Sequence, residues 1–469
     1  MIEPDIQSSR NSIWLRLSEG WSRWTAATVN RSIFGAAMTI GAFTVVVKLV
    51  SVAKELVVAK TFGTSDALDA FLIAFLLPLF AINVVAGSFN AALIPTFIKV
   101  REKEGTEAAQ RLLSNMLFWS VGLLVIVTLL FALSANAVLR LMSSSFNAEK
   151  FALTRKLFFI LLPTLVICGL STTWSAVLNA GQKFALAALT PALTPIVTLG
   201  LIFGFGPTWG IHAVAVGTIA GFVLEAGVLG WSLRRQGFSL LPKWRGKDAA
   251  LIEVIRQFAP MMAGAFLMSS SLVIDQSMAS MLGPGSVAAL NYGSKVVALI
   301  LGIGSMALGT AVLPYFSRMV ARNEWAGVRH TLRTYLRLIL IVTLTLTGGV
   351  VLFSEPMVRV VFERGSFNAS DTRVVSVVTA CFALQIPFYV AGILGVRLLN
   401  ALGKGGSIML ICAANMLVNV FGNLILMRWM GVAGIALSTS LVYLLSCVLV
   451  FYVILTELKQ RQGTAIRHE

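Results

Sequence analysis

The sequence predicts an all-α polytopic membrane protein: about twelve transmembrane helices in two six-helix lobes, related by a parallel internal repeat around a central cavity. Three observations predict it. Of the 469 residues, 57% are hydrophobic and 12% charged, with a mean hydropathy of +0.86, which excludes a string of ordinary soluble domains. Apolar runs of about 20 residues, the length that crosses a bilayer, follow one another along almost the whole chain. The chain also aligns with itself at an offset of about 220 residues, the mark of a duplicated architecture.

Residues 1–32 hold three tryptophans together with Arg10, Arg16 and Arg23. No cleavage site of small residues follows a short apolar core, so a signal peptide is rejected. A cytoplasmic amphipathic segment lying on the membrane is expected instead. Apolar runs punctuated by Gly, Pro and charge then place spans near 33–62, 68–98, 113–139, 157–181, 184–204, 210–233, 257–282, 286–316, 338–362, 374–401, 406–427 and 431–456. Spans 1–6 make an N-terminal lobe (33–233), residues 234–256 a basic cytoplasmic linker broken by Pro242, spans 7–12 a C-terminal lobe (257–456), and 457–469 a cytoplasmic tail.

With the N-terminus inside, 24 Lys and Arg fall on the cytoplasmic side and eight on the outer side, so the positive-inside rule puts both termini in the cytoplasm. The same asymmetry accounts for the net charge of +17 without a nucleic-acid partner.

The repeat is carried by five pairs of landmarks. FGTSDALDAF (62–71) matches LGPGSVAALN (282–291), and LIPTFIKVREKEG (93–105) matches VLPYFSRMVARNE (312–324). LLP (161–163) meets QIP (385–387), LNAGQK (178–183) meets LNALGK (399–404), and GIHAVAVGTIAGF (210–222) meets GVAGIALSTSLVY (431–443). Six spans per half is an even number, so the halves share one orientation. Such two-lobed repeats usually place a transport site between the lobes.

Ionisable residues inside spans are costly and therefore candidates for function. Thr44, Lys48, Ser51 and Glu55 recur at i, i+4, i+7 and i+11, one face of a helix. Lys48 lies about 22 Å into span 1, too deep to reach the headgroups easily. Lys54 adds a second cation beside that stripe, and span 8 offers Asn291 and Lys295 at i, i+4. Cations from both lobes could thus converge on a cavity; the competing reading is a salt-bridge network with Glu55, Asp69 and Asp275 as partners. Asp69 begins span 2, where an aspartate also serves as a helix N-cap. Asp275 and Glu225 could carry protons or bind Na⁺, or pair with a lysine. Arg397 and Lys60 lie near span ends and can snorkel, and a substrate or charge-partner role for Arg397 stays open.

Catalysis has no visible address. His212, His330 and His468 are scattered, and Cys168, Cys381, Cys412 and Cys447 all lie in apolar segments without metal or redox spacing. No catalytic residue, cofactor or metal is expected, and the outer loops are short for a membrane enzyme of lipid-linked sugars.

The stretches VVAKTFGTSDALDAFLIAFLLP (57–78), GSVAALNYGSKVV (285–297), ALGTAVLPYFS (307–317) and VVFERGSFNASDT (360–372) give the chain a resemblance to the MurJ/MviN flippases of the multidrug/oligosaccharidyl-lipid/polysaccharide exporter superfamily. It covers nearly all twelve spans. The resemblance implies a bacterial cytoplasmic-membrane flippase, not an enzyme, that moves lipid II or a related polyprenyl-diphosphate-linked glycan by alternating access. It also implies that Lys48, Lys54 and Lys295 stand where the family has cavity arginines, and Asp69 where it keeps an aspartate.

The chain departs from the family at LPLFAINVVAGSF (77–89), where Ile82 and Asn83 occupy arginine positions, and the spans counted stop at twelve, without the further C-terminal pair of many members. Lysine also replaces a planar fork with a flexible point charge. The expected partners are an anionic lipid-linked glycan and the bilayer, with a coupling Na⁺ or H⁺ left open and a monomer as the assembly state. The alternative is a multidrug or cation exporter of the same superfamily, whose cavity would favour uncompensated acids over lysines.

Overall fold

In the computed structural model the described residues are 28–181, 183–240, 242, 244, 246 and 249–466. Most of the predicted interfacial segment (1–27), part of the linker and the last three residues lie outside them. The described elements are all helical.

The first half comprises α1 (Thr28–Phe62), α2 (Asp66–Ala81), α3 (Ser88–Met142), α4 (Ala148–Leu161), α5 (Thr164–Ala180), α6 (Phe184–Leu189), α7 (Leu193–Trp209) and α8 (Ile211–Arg235). The second comprises α9 (Ala249–Ala279), α10 (Ser286–Ala321), α11 (Trp325–Leu352), α12 (Ser354–Phe362), α13 (Ala369–Ala383), α14 (Ile386–Ala401), α15 (Gly405–Met430) and α16 (Val432–Ile466). Among the described residues, nine helical stretches are long and apolar enough to cross a membrane, with Ser286–Gly302 as a shorter apolar helix. One of the nine, Asp66–Met142, carries two predicted spans, parted where Gly105 leaves helical geometry at φ 88°.

Local chemistry fixes the breaks. Ser65 caps α2 by accepting from the Leu68 amide at 3.4 Å, and Asn147 caps α4 by accepting from Lys150 at 2.8 Å. Spans 4 and 10 each break in two at a repeat landmark, beside Pro163 and Pro387, since proline cannot donate the helical hydrogen bond. Spans 5 and 11 end in turns at Gly210 (φ 54°) and Gly431 (φ 57°), in the left-handed region where a Cβ is strained. Between α2 and α3 the chain forms a π-helical turn, Ile82–Gly87, at the departure from the family pattern.

Apolar packing falls into three clusters. One joins both halves, with Leu68, Ile73 and Phe158 against Val287, Tyr292 and Phe367. A second unites Phe97, Leu112, Leu233 and Phe238 of the first half with Leu251 and Val254 of α9. A third holds Phe316, Val328, Leu394 and Ile454 of the second half. The outer faces are strongly apolar: Leu133 and Trp429 are 85% and 86% exposed, which suits hydrocarbon rather than water.

The linker follows α8, which runs to Arg235, and leads into α9, which starts at Ala249. It lies against α3: Ser239 exchanges two 3.1 Å bonds with Gln110, Asn115 donates to the Gly246 carbonyl at 3.0 Å, and Trp244 packs edge-on to Trp119. The predicted tail continues as helix to Ile466.

Candidate functional site: a cavity between the halves

A cavity of about 470 Å³ opens between the halves. From the first half, α1 contributes Ser51, Lys54 and Glu55, and from the second, α10 contributes Asn291, Ser294 and Lys295. Phe71 and Phe75 of α2 and Phe222 of α8 form an apolar wall, and Thr194, Thr198 and Thr218 add hydroxyls. The Glu55 carboxylate lies 2.9 Å from the Lys54 ammonium and 3.3 Å from that of Lys295. One acid therefore bridges two cations from opposite halves, leaving a net positive charge. Lys295 is 43% and Lys54 26% exposed, so both remain open to a ligand. An anion with several oxygens can replace Glu55 on both ammonium groups.

The predicted convergence of Lys48 with Lys295 takes a different form. Lys48 lines a separate groove with Thr44, Asn179 and Pro191. It stands six residues before Lys54, about 9 Å along the helix, so α1 displays a cationic track, with Lys54 at the cavity and Lys48 one groove away.

Asp69 lies outside the cavity lining and is fully buried. It is not the N-cap, a place taken by Ser65. Its carboxylate accepts from Lys150 of α4 at 2.9 Å and from the amides of Gly285 and Ala288, both at 2.8 Å, at the start of α10. The carboxylate thus joins the halves through first-turn amides that have no acceptor within their own helix.

Asp275 is buried on α9 and pairs with amides and a hydroxyl rather than a lysine: Asn419 at 3.0 Å, Asn423 at 2.7 Å and Thr439 at 3.1 Å. The side-chain oxygens of Asn419 and Asn423 are buried with no hydrogen-bond partner among the described residues. Glu225 is buried on α8 facing Thr194. Arg397 is half-buried on α14 and lines neither cavity. No cluster of three metal-ligating side chains occurs among the described residues.

Sequence reasoning missed Lys150, which it left in an outer loop. Two signals were available: Asn147 as a cap opening a helix, and Asp66 with Asp69 at i, i+3 in need of a cation. Asn419 and Asn423, at i, i+4 within an apolar run, are a further polar face that went unread.

The family described as "Lipid II flippase MurJ" matches residues 58–468. "Probable lipid II flippase MurJ" of Rhizobium tropici is 27% identical over 362 residues, covering 75% of this chain and 68% of that one. The protein of the same description from Synechocystis sp. is 27% identical over 435 residues, covering 89% and 80%. Among solved structures, "Lipid II flippase MurJ, inward closed conformation" matches with a TM-score of 0.76 at 20% identity over 92% of this chain and 91% of that one. An inward-facing multidrug resistance MATE family transporter of the MOP superfamily matches with a TM-score of 0.74 at 14% identity over 91% and 99%. At these identities the structural likeness shows the fold alone, a multi-pass membrane transporter fold. The match over residues 58–468, which takes in both halves and the α10 side of the cavity but begins after Ser51, Lys54 and Glu55, makes the chain a member of the MurJ lipid II flippase family.

Proposed function

We propose that this protein moves lipid II, the polyprenyl-diphosphate-linked peptidoglycan precursor, from the inner to the outer leaflet of the bacterial cytoplasmic membrane. The observation that carries this reading is the Glu55 bridge between Lys54 and Lys295, an anion-binding pair shared by two halves that alternating access would separate and rejoin. The diphosphate takes the two ammonium groups, Ser51 and Asn291 offer hydrogen bonds to the headgroup, and Lys48 holds the anion on its way in. Asp69 acts at the seam rather than on the ligand. With the interior negative, outward movement of negative charge gains about 2.3 kcal/mol per charge per 100 mV across the full field.

The moving bodies are residues 33–233 and 257–456, the linker 234–256 stays on the first, and both termini face the cytoplasm. The chain works as a monomer. Asp275, with the two asparagine oxygens beside it that have no partner among the described residues, is the place for a coupling Na⁺ or H⁺, with Glu225 as the alternative acid and Arg397 as a charge partner. A multidrug exporter is disfavoured, since lysines in the cavity repel cationic drugs and the family match is to flippases.

Complementation of a strain depleted of its own lipid II flippase, with protein level followed by immunoblot, tests the reading. Growth is expected. Lysis at full expression would mean that another polyprenyl-linked glycan is the cargo.

A further inference from the structure

At the predicted outer end, the turn between α1 and α2 (residues 60–65) is held by the segment 363–368 of the second half. Ser366 donates its amide to the Lys60 carbonyl at 2.8 Å and its hydroxyl to the Thr61 carbonyl at 3.0 Å. These are end carbonyls of α1, which no helical amide can satisfy. The strands of chain touch backbone to backbone because Gly63 (φ 55°) and Gly365 (φ 63°) carry no Cβ: one at Gly63 would fall on the Ser366 carbonyl, and one at Gly365 on that of Lys60.

The segment is anchored in its own half. Phe367 is 1% exposed and packs on Tyr292 and Phe362, with ring centroids 5.6 and 5.7 Å away. Asp371 then divides its carboxylate. One oxygen accepts from the Asn368 amide at 3.0 Å, closing a reciprocal cap at the start of α13, and the other accepts from the Thr64 hydroxyl across the seam.

With the Asp69 contacts to α10, each half therefore caps a helix end of the other. Water can replace every one of these bonds once the seam opens, so closure is specific yet reversible.

We propose that residues 363–368 are a latch on the outer face, and that Asp371 positions it, so that release of Thr64 is a required step of outward opening. This rests on the alternating-access reading above. In a background lacking Cys168, Cys381, Cys412 and Cys447, a Ser294→Cys reporter in the cavity is labelled from outside with a membrane-impermeant maleimide. Thr64→Val is expected to raise the labelling rate about fivefold, the shift set by one hydrogen bond of about 1 kcal/mol. Asn368→Ala, which removes the cap but leaves the bond across the seam, should stay near the parent rate. An unchanged rate in Thr64→Val, or an equal rise in both variants, overturns the latch.

In a second arm, Thr64→Cys with Asp371→Cys is oxidised in vesicles, and lipid II translocation should stop and return with reductant. Continued translocation by the cross-linked pair overturns the proposal. The labelling arm contains no lipid II, so the labelling shift in Thr64→Val together with a parent that never moves lipid II would sink the flippase reading alone.

Discussion

Lys150 and Asp69 form a salt bridge at 2.9 Å in which the carboxylate is fully buried and the ammonium 7% exposed. Asp66 shares the same ammonium, and the Phe146 ring lies 4.1 Å from it. Such pairs add little net stability, but removing one partner strands the other, at about 3–5 kcal/mol. Lys150→Met should therefore lower the melting temperature sharply, and adding Asp69→Asn to it should restore part of the loss. Thermal unfolding in detergent measures both; a double variant less stable than Lys150→Met alone would contradict the account.

Glu55 plays the opposite part. It occupies the two ammonium groups that the diphosphate needs, so Glu55→Gln should tighten binding of lipid II while Lys295→Ala weakens it. A hydrogen bond to a charged group is worth about 1.5–3 kcal/mol, so the Lys295→Ala loss should be about 10- to 100-fold. Native mass spectrometry of the protein with lipid II can read both. Weaker binding in Glu55→Gln would mean that the acid organises the cavity rather than competing for it.

The architecture was legible because its causes are local. Bilayer thickness sets the length of apolar runs, and glycines at positive-φ turns such as Gly210 and Gly431 mark where helices end. The Ser51, Glu55 and Lys295 part of the candidate cavity was legible for the same reason, since helical spacing puts Ser51 and Glu55 on one face of α1 and Asn291 and Lys295 on one face of α10. Three things were not. Lys150 read as a loop cation because its partners lie 81 and 84 residues away in sequence. Asp69 read as a ligand contact, a lysine partner or its own helix's cap, because nothing in its neighbourhood announces the amides of Gly285 and Ala288. Asp371 read as a loop residue because its bond to Thr64 spans 307 residues. Contacts across the seam follow from tertiary assembly, which periodicity does not encode.

Lys48 separates transport from stability. No ion pair to it occurs among the described residues, so Lys48→Ala removes a cation without stranding an acid. Protein level and melting temperature should stay close to the parent while lipid II translocation falls. Lys48→Arg should retain translocation, as it keeps the charge. A collapse of protein level in Lys48→Ala would instead mean that the groove beside Asn179 and Pro191 is a structural contact.

Asp275 tests coupling. Its carboxylate accepts three hydrogen bonds, and two asparagine oxygens in the same cluster are left without donors. Each buried oxygen left unpaired costs about 1–3 kcal/mol, and a cation would satisfy both while also balancing the carboxylate charge, which a neutral donor does not. Asp275→Asn removes the charge but keeps the shape. If a cation enters here, the variant should translocate lipid II at a rate that no longer responds to an imposed Na⁺ or proton gradient, while the parent responds to one of the two. Vesicle assays with each gradient imposed separately identify the ion by which response disappears. A variant that keeps the parent's response places coupling elsewhere, and Glu225 on α8, the other buried acid without a lysine partner among the described residues, becomes the next position to change.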